Sequence, residues 1–182
     1  MRTLLAERAE IRQWEFAGDR GRLPLHCKLL LRDHSLRTYD VYVWSISHGG
    51  RTRRRSEYRI QTKLPDGSAD LQFGRGVTLL LGYYTAQADL SDARADQLVP
   101  DEMEVFVAWD AVAHLKVGLS SSCQVDFSLM YDAYLSGFSS SSRRLLNGSS
   151  EKVIAFRPER LAQYLTAAWR GHEHASLAAG GR

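Results

Sequence analysis

Two short and nearly uninterrupted apolar runs, Val77–Tyr83 and Glu104–Trp109, constrain the fold more than any other feature of the sequence. Each run is bounded by polar residues and is too short for a typical helix. Apolar side chains at successive positions of a strand face both sides of the sheet, so such a strand must be covered on both faces. We therefore expect these runs to form two central strands of a sheet with other elements packed on it.

Four further segments have the composition of strands, because they are rich in β-branched and aromatic residues. They are Tyr39–Ser47, Glu57–Leu64, Cys123–Phe127 and Glu151–Phe156. Residues 23–32 are apolar as well, but the length of this segment fits either a strand or a helix. The predicted sheet is mixed, mainly antiparallel, and has five or six strands.

Two helices are predicted to pack on this sheet, one near each end of the chain. The first sixteen residues offer an apolar helical stripe, which consists of Leu4, Leu5, Ile11 and Trp14. Near the C-terminus, Pro158 suits the first turn of a helix. An apolar stripe follows at helical spacing, formed by Leu161, Tyr164, Leu165 and Ala168. Shorter helices are predicted at 110–115 and 129–138, and the serine-rich segment 139–142 is predicted to be a loop. The fold class is therefore α+β.

The length of the chain, 182 residues, suits one well-packed domain better than two. We assign residues 1–170 to a single domain and residues 171–182 to a flexible tail or linker. No apolar run approaches the roughly 18 residues that cross a bilayer, and charges interrupt the N-terminus too often for a signal peptide. We expect a cytoplasmic protein with no membrane partner.

Positive charge is concentrated between Arg51 and Lys63, a segment that we call the basic hairpin. It holds six positive side chains against Glu57 alone, a local net charge of +5 in a chain whose total is +3, so that the remainder carries −2. Gly49 and Gly50 precede it, and the predicted strand 57–64 closes it. The pattern predicts two strands joined by a basic, mobile tip. Such charge asymmetry usually marks a face that meets a partner.

Nucleic acid is the partner that best suits this segment. Arginine forks match phosphate oxygens, and a nearby aromatic ring can stack on an exposed base. The residues predicted to contact DNA are Arg51, Arg53, Arg54, Arg55, Arg59, His48 and Trp44. DNA recognition of this kind calls for no cofactor. The acidic surface of a protein partner would suit the same charge, so a protein-interaction domain is an alternative.

A second alternative starts from the outer face of the predicted strand 57–64. Ile60-Gln61-Thr62-Lys63 is similar to the Q-x-K strand of Mrr-like PD-(D/E)xK nucleases, in which the first residue helps to hold Mg²⁺ and the lysine stabilises phosphorane charge. This resemblance implies a Mg²⁺-dependent DNA endonuclease with the catalytic set Asp40, Glu57, Gln61 and Lys63, in which Asp40 and Glu57 would hold the metal. The alternation of side chains along a strand places the last three on one face. A polar, solvent-facing strand surface explains the same residues without catalysis.

A wider resemblance covers about residues 38 to 168. It is carried by six short phrases: Tyr42-Val43-Trp44-x-Ile46-Ser47-His48-Gly49-Gly50, Glu57-Tyr58-Arg59-Ile60-Gln61, Leu79-Leu80-Leu81-Gly82, Val105-Phe106-Val107-Ala108-Trp109-Asp110, Ser121-Ser122-Cys123-Gln124-Val125 and Ala155-Phe156-Arg157-Pro158. Together they resemble an uncharacterised bacterial domain associated with DNA methylases and restriction-type nucleases. The resemblance implies DNA recognition in restriction–modification or phage defence, beside a methylase or nuclease domain or subunit. It supplies no catalytic residues.

Overall fold

A computed structural model describes residues 11–17, 23–48, 54, 56–64, 76–88, 99–116, 118–145 and 148–180. Within these residues the chain forms ten strands: β1 (Ile11–Ala17), β2 (Leu25–Leu31), β3 (Leu36–Ser45), β4 (Ser47–His48), β5 (Glu57–Lys63), β6 (Val77–Thr85), β7 (Glu104–Trp109), β8 (Ser120–Asp126), β9 (Phe138–Arg144) and β10 (Ser150–Phe156). The helices are α1 (Ala111–His114), α2 (Phe127–Ser136) and α3 (Leu161–Gly180), with short 3₁₀ turns at Ala86–Ala88 and Pro158–Arg160. In the described part of the chain, each helix is too short or too polar to span a bilayer.

The strands form two sheets, so the predicted α+β class is confirmed. The larger sheet has seven strands in the order β1-β2-β3-β6-β7-β10-β9, and the smaller has three in the order β4-β5-β8. The larger sheet thus exceeds the five or six strands predicted. Two of its strands, β1 and β9, come from segments that were predicted to be helix and loop.

The predicted N-terminal helix is wrong over residues 11–16, which belong to β1, while residues 1–10 lie outside the described residues. β1 pairs antiparallel with β2, with Trp14 opposite Leu29 and Phe16 opposite Cys27. Apolar residues three apart fit one face of a helix, whereas in a regular strand they would face opposite sides. Ile, Trp and Phe favour strands, and the hydrogen bonds of the neighbouring strand decide the outcome.

The serine-rich segment 139–142 is also a strand and not a loop, because it lies within β9. β9 pairs with β10 along its whole length, with Ser141 opposite Val153. Serine has little preference for strands. Here the adjacent β10, whose Val153 and Ala155 are buried, supplies the pairing that composition does not reveal.

The contacts group the chain into two compact units. Unit 1 comprises residues 1–41, 72–78 and 158–182. In it, the predicted C-terminal helix is confirmed as α3, which continues past residue 170 to Gly180. Leu161 and Leu165 of its apolar stripe are fully buried. The buried Tyr39 of β3 donates its hydroxyl to the Leu165 carbonyl at 3.1 Å and meets Trp169 edge-on at 5.8 Å.

Unit 2 comprises residues 42–71 and 79–157 and contains most of the core. Leu80 and Leu81 of β6 and Val105 and Val107 of β7 are fully buried, as expected for central strands. The predicted short helix after β7 is confirmed as α1, and the helix predicted over 129–138 is confirmed as α2. Gly137 ends α2 in the left-handed region, at φ 87°, which a glycine adopts without steric cost.

Candidate nucleic-acid interface

The basic hairpin ends in β5, which pairs with β4 just before the hairpin. β4 and β5 are antiparallel, with Ser47 opposite Arg59 and His48 opposite Tyr58. A strand on each side of the basic segment is therefore confirmed, but β5 pairs with the two-residue β4, whereas most of the predicted strand 39–47 is β3 of the larger sheet. Three of the predicted DNA contacts lie outside the described residues: Arg51, Arg53 and Arg55. The two glycines of the tip, Gly49 and Gly50, lie outside them as well.

The base of the basic hairpin is held by its own backbone. The Arg54 carbonyl accepts a hydrogen bond from the Glu57 N–H at 2.9 Å. The Nε2 atom of His48 lies 3.3 Å from the same oxygen, and its ring packs edge-on against the buried Tyr58 at 5.5 Å. His48 thus supports the turn, while the Arg54 side chain is exposed to solvent.

A second set of bonds ties this base to the start of α2. The Ser56 hydroxyl donates to Asp126 Oδ2 at 2.9 Å, and the Ser56 carbonyl accepts from the Phe127 N–H at 2.7 Å. Asp126 is also the N-cap of α2, where it accepts from the Ser128 N–H at 2.9 Å. Partial burial favours the neutral acid, but the hydrogen bonds from Ser128 and Ser56 outweigh it and lower the pKa of Asp126. These hydrogen bonds of Ser56 and Asp126 hold this part of the basic hairpin against α2, and the Asp126 carboxylate is ionised.

The other two described DNA contacts lie on the strands that flank the hairpin. Arg59 is half-buried in β5, opposite Gln124 of β8. Trp44 is half-buried in β3, and its ring stacks on that of Tyr42 with centroids 6.2 Å apart. Only part of the Trp44 ring is therefore accessible for stacking on a nucleobase.

β5 has the two faces that its sequence predicted. The inner face is fully buried and consists of Tyr58, Ile60 and Thr62. On the outer face, Glu57 is half-buried, whereas Gln61 and Lys63 are exposed. The Gln61 side-chain amide donates to Ser120 Oγ at 3.1 Å, across to the neighbouring β8. The outer face of β5 is thus a polar strand surface braced by the next strand.

The proposed nuclease residues are divided between the two units. Asp40 belongs to unit 1, where its Oδ1 atom lies 2.6 Å from Nδ1 of His26, whereas Glu57, Gln61 and Lys63 belong to unit 2. Among the described residues, no three His, Cys, Asp or Glu side chains lie close enough to hold a metal ion.

A hollow of about 260 Å³ lies beside the base of the basic hairpin, entirely within unit 2. Two arginines line it, Arg54 from the hairpin and Arg143 from β9. The acids Glu57 and Asp126 line it as well. Its apolar wall consists of Val125, Leu129 and Val153, and its remaining polar wall of Ser56, Gln124 and Ser141.

Arg143 is held in place by a buried carboxylate. Its Nε atom donates to Glu151 Oε2 at 2.7 Å, and the Glu151 side chain is completely shielded from solvent. The other oxygen, Oε1, lies 2.9 Å from His114 Nε2 and accepts from the Asp110 N–H at 3.0 Å. Burial disfavours the ionised form, but the hydrogen bonds from His114, Arg143 and Asp110 prevail and lower the pKa of Glu151 from 4.5 to about 2. We call Glu151, Arg143 and His114 the Glu151 cluster.

The protonation of His114 follows from this arrangement. An ionised carboxylate only accepts hydrogen bonds, so the nitrogen facing Glu151, Nε2, must carry the proton. The Nη2 atom of Arg143 lies 3.4 Å from that same nitrogen, which has no lone pair left to accept a second bond. The bond to Glu151 therefore orients the Arg143 guanidinium without using the hydrogens on Nη2.

The main chain of Gln124 completes the support of Arg143. Its carbonyl accepts from Arg143 Nη1 at 2.9 Å and from Trp109 Nε1 at 3.1 Å. The Gln124 side chain itself is exposed. One backbone oxygen thus joins β7, β8 and β9 beside the hollow.

The Glu151 cluster was not predicted as part of the site. One signal for it does stand in the sequence. Glu151 opens a predicted strand, and the two-residue alternation places it on the same face as Val153 and Ala155, which face the core. A carboxylate on the inner face of a strand requires a positive or hydrogen-bonding partner. The alternation thus indicates that Glu151 is buried, but it does not indicate which residue is its partner.

The family model of the domain described as Methylase-associated X1 matches residues 37–165, well over half of the chain. The match agrees closely with the span of the resemblance noted in the sequence and confirms the association with methylases. It indicates a role in a restriction–modification system. No curated protein and no solved structure matches the chain significantly.

Proposed function

The chain belongs to the Methylase-associated X1 family, and from that membership we propose that it is a DNA-binding recognition module of a restriction–modification or phage-defence system. The module acts in the cytoplasm, where it directs a methylase or nuclease domain or subunit to DNA. Recognition of this kind needs no cofactor, so a chelator leaves DNA binding unchanged.

The observation that carries the proposal is the positive charge gathered on the basic hairpin. Six cations stand against one acid there, and the rest of the chain carries a net −2. Arginines on a phosphate backbone displace condensed counterions, which supplies most of the affinity for any DNA. Next to these cations, the described residues Arg54, Ser56 and Asp126 are joined by hydrogen bonds to Glu57 and to the start of α2, which supports a fixed attachment of the basic hairpin.

The test is the salt dependence of binding to a duplex DNA. We expect the Arg53→Ala/Arg54→Ala/Arg55→Ala variant to bind more weakly at every sequence tested. The slope of log K against log[salt] should fall by about 2 to 3, since each lost phosphate contact removes about 0.9. Fluorescence anisotropy of an end-labelled duplex measures both quantities.

The matched control removes the same charge elsewhere, at the exposed cations Lys116, Lys152 and Arg160. It should keep the slope of the wild type. Identical affinities and slopes for the wild type and the hairpin variant would overturn the proposal. A failure of the wild type to bind DNA at physiological salt would point instead to a basic hairpin that meets an acidic protein.

A further inference from the structure

The hollow beside the basic hairpin differs from a phosphate site in its charge. Among the described residues, the ionisable side chains that line it are Arg54, Arg143, Glu57 and Asp126, and their charges cancel. Glu151 behind Arg143 adds a further negative charge. These four side chains together give a phosphate no net attraction, and the lowered pKa of Asp126 keeps that carboxylate ionised. The hollow therefore suits an uncharged ligand with both donors and acceptors.

The size and the wall of the hollow narrow the choice further. Its volume of about 260 Å³ lies below the roughly 300–1,000 Å³ of pockets for drug-sized ligands. Val125, Leu129 and Val153 give it an apolar side, against which a flat ring can lie. A single heterocyclic base has this combination of size, flatness and polar edges.

The polar groups at the hollow are those that read base edges. Arginine pairs with the O6 and N7 acceptors of guanine, and glutamine pairs with the N6 and N7 atoms of adenine. Arg143 is oriented by Glu151 and by the Gln124 carbonyl, so its ordering is complete before any ligand arrives. Gln124 stands beside it with an exposed side chain.

We propose that the hollow receives one nucleobase turned out of the DNA stack, while the basic hairpin holds the neighbouring phosphates. This inference rests on the proposed function, since DNA must be bound for a base to enter. Extruding a base costs its stacking and pairing energy, least at a mismatch, and the contacts of the base in its pocket offset this cost. Arg54 belongs to both surfaces, so a backbone on the hairpin lies next to the hollow.

The experiment uses a duplex with one mispaired 2-aminopurine, whose fluorescence is quenched by stacking and recovers when the base leaves the stack. None of the described residues that line the hollow is aromatic, so the extruded base stays bright. The blocking variant is Ser141→Phe, which places a ring in the hollow from β9. Its control is Ser142→Phe, the same change at an exposed neighbour on the opposite face of that strand.

We expect wild type and Ser142→Phe to raise the fluorescence several-fold on binding. Ser141→Phe should still bind the end-labelled duplex by anisotropy and should lose most of the rise. Binding without a rise in the wild type, or an equal rise in Ser141→Phe, overturns the inference and leaves the proposed function standing. No binding by anisotropy at physiological salt overturns both.

Discussion

The outer face of β5 and the Glu151 cluster are both polar and both lie in unit 2, yet they differ in how their side chains are paired. On β5, Gln61 and Lys63 stand in solvent. In the cluster, the Glu151 carboxylate is shielded completely and receives bonds from Arg143, His114 and the main chain. The run of polar residues that stands out in the sequence thus lies on the solvent side of its strand. The single buried acid, Glu151, is instead held in one position by its hydrogen bonds.

The largest expected effect is the loss of the Glu151 carboxylate. Glu151→Ala leaves Arg143 and His114 buried or half-buried without their partner. Breaking a buried ion pair by removing one member costs about 3–5 kcal/mol. We expect a loss of that size in the free energy of unfolding, measured by urea denaturation. Lys152→Ala, at the exposed neighbouring position, should change it by less than about 0.5 kcal/mol. Equal stabilities of the two variants would mean that the buried carboxylate contributes no more to folding than the exposed lysine.

The decrease of the free energy of unfolding at acidic pH should depend on the same carboxylate. The pKa of Glu151 is lowered from 4.5 in the unfolded chain to about 2 in the folded one. The stabilisation is therefore complete above the unfolded value and is lost as the pH falls through about 2. The linkage amounts to about 3 kcal/mol. Urea denaturation at several pH values should give the wild type a steeper acid decline than Glu151→Gln. Parallel profiles would mean that the carboxylate is not held in its ionised form.

The smallest expected effect is on the outer face of β5. Lys63→Ala removes an exposed side chain and should change the free energy of unfolding by less than about 0.5 kcal/mol. The same variant separates a strand surface from a nuclease site. A nuclease that uses Lys63 would show Mg²⁺-dependent cleavage of DNA that disappears in Lys63→Ala. A loss of cleavage in Lys63→Ala, with stability unchanged, would show that Lys63 of β5 belongs to a nuclease site.

Much of the fold could be predicted because its signals are local. The residues of a single element are enough to predict each of three features: the two central strands, the alternation of β5 and the apolar stripe of α3. β1 and β9 could not be predicted, because their conformation depends on the neighbours with which they pair. A serine-rich segment becomes a strand when a buried strand lies beside it.

The candidate site divides in the same way. The basic hairpin was predicted from neighbouring residues, whereas the hollow that Arg54 lines was not predicted. The Glu151 cluster joins residues that are 8 and 37 positions apart, and Arg143 looks like any surface arginine in the sequence. Only the three-dimensional pairing shows that this arginine is oriented and that His114 carries its proton on Nε2.

The carbonyl of residue 124 has a consequence for the evolution of the family. It receives Trp109 and Arg143, and every amino acid supplies a carbonyl in that place. Because the main chain accepts both bonds, they do not depend on the side chain at position 124. A substitution at position 124 can therefore change the side chain beside the hollow while the backbone bonds to β7 and β9 remain. If the hollow binds a nucleobase as proposed, its preference among bases can change at this position without a change in the fold.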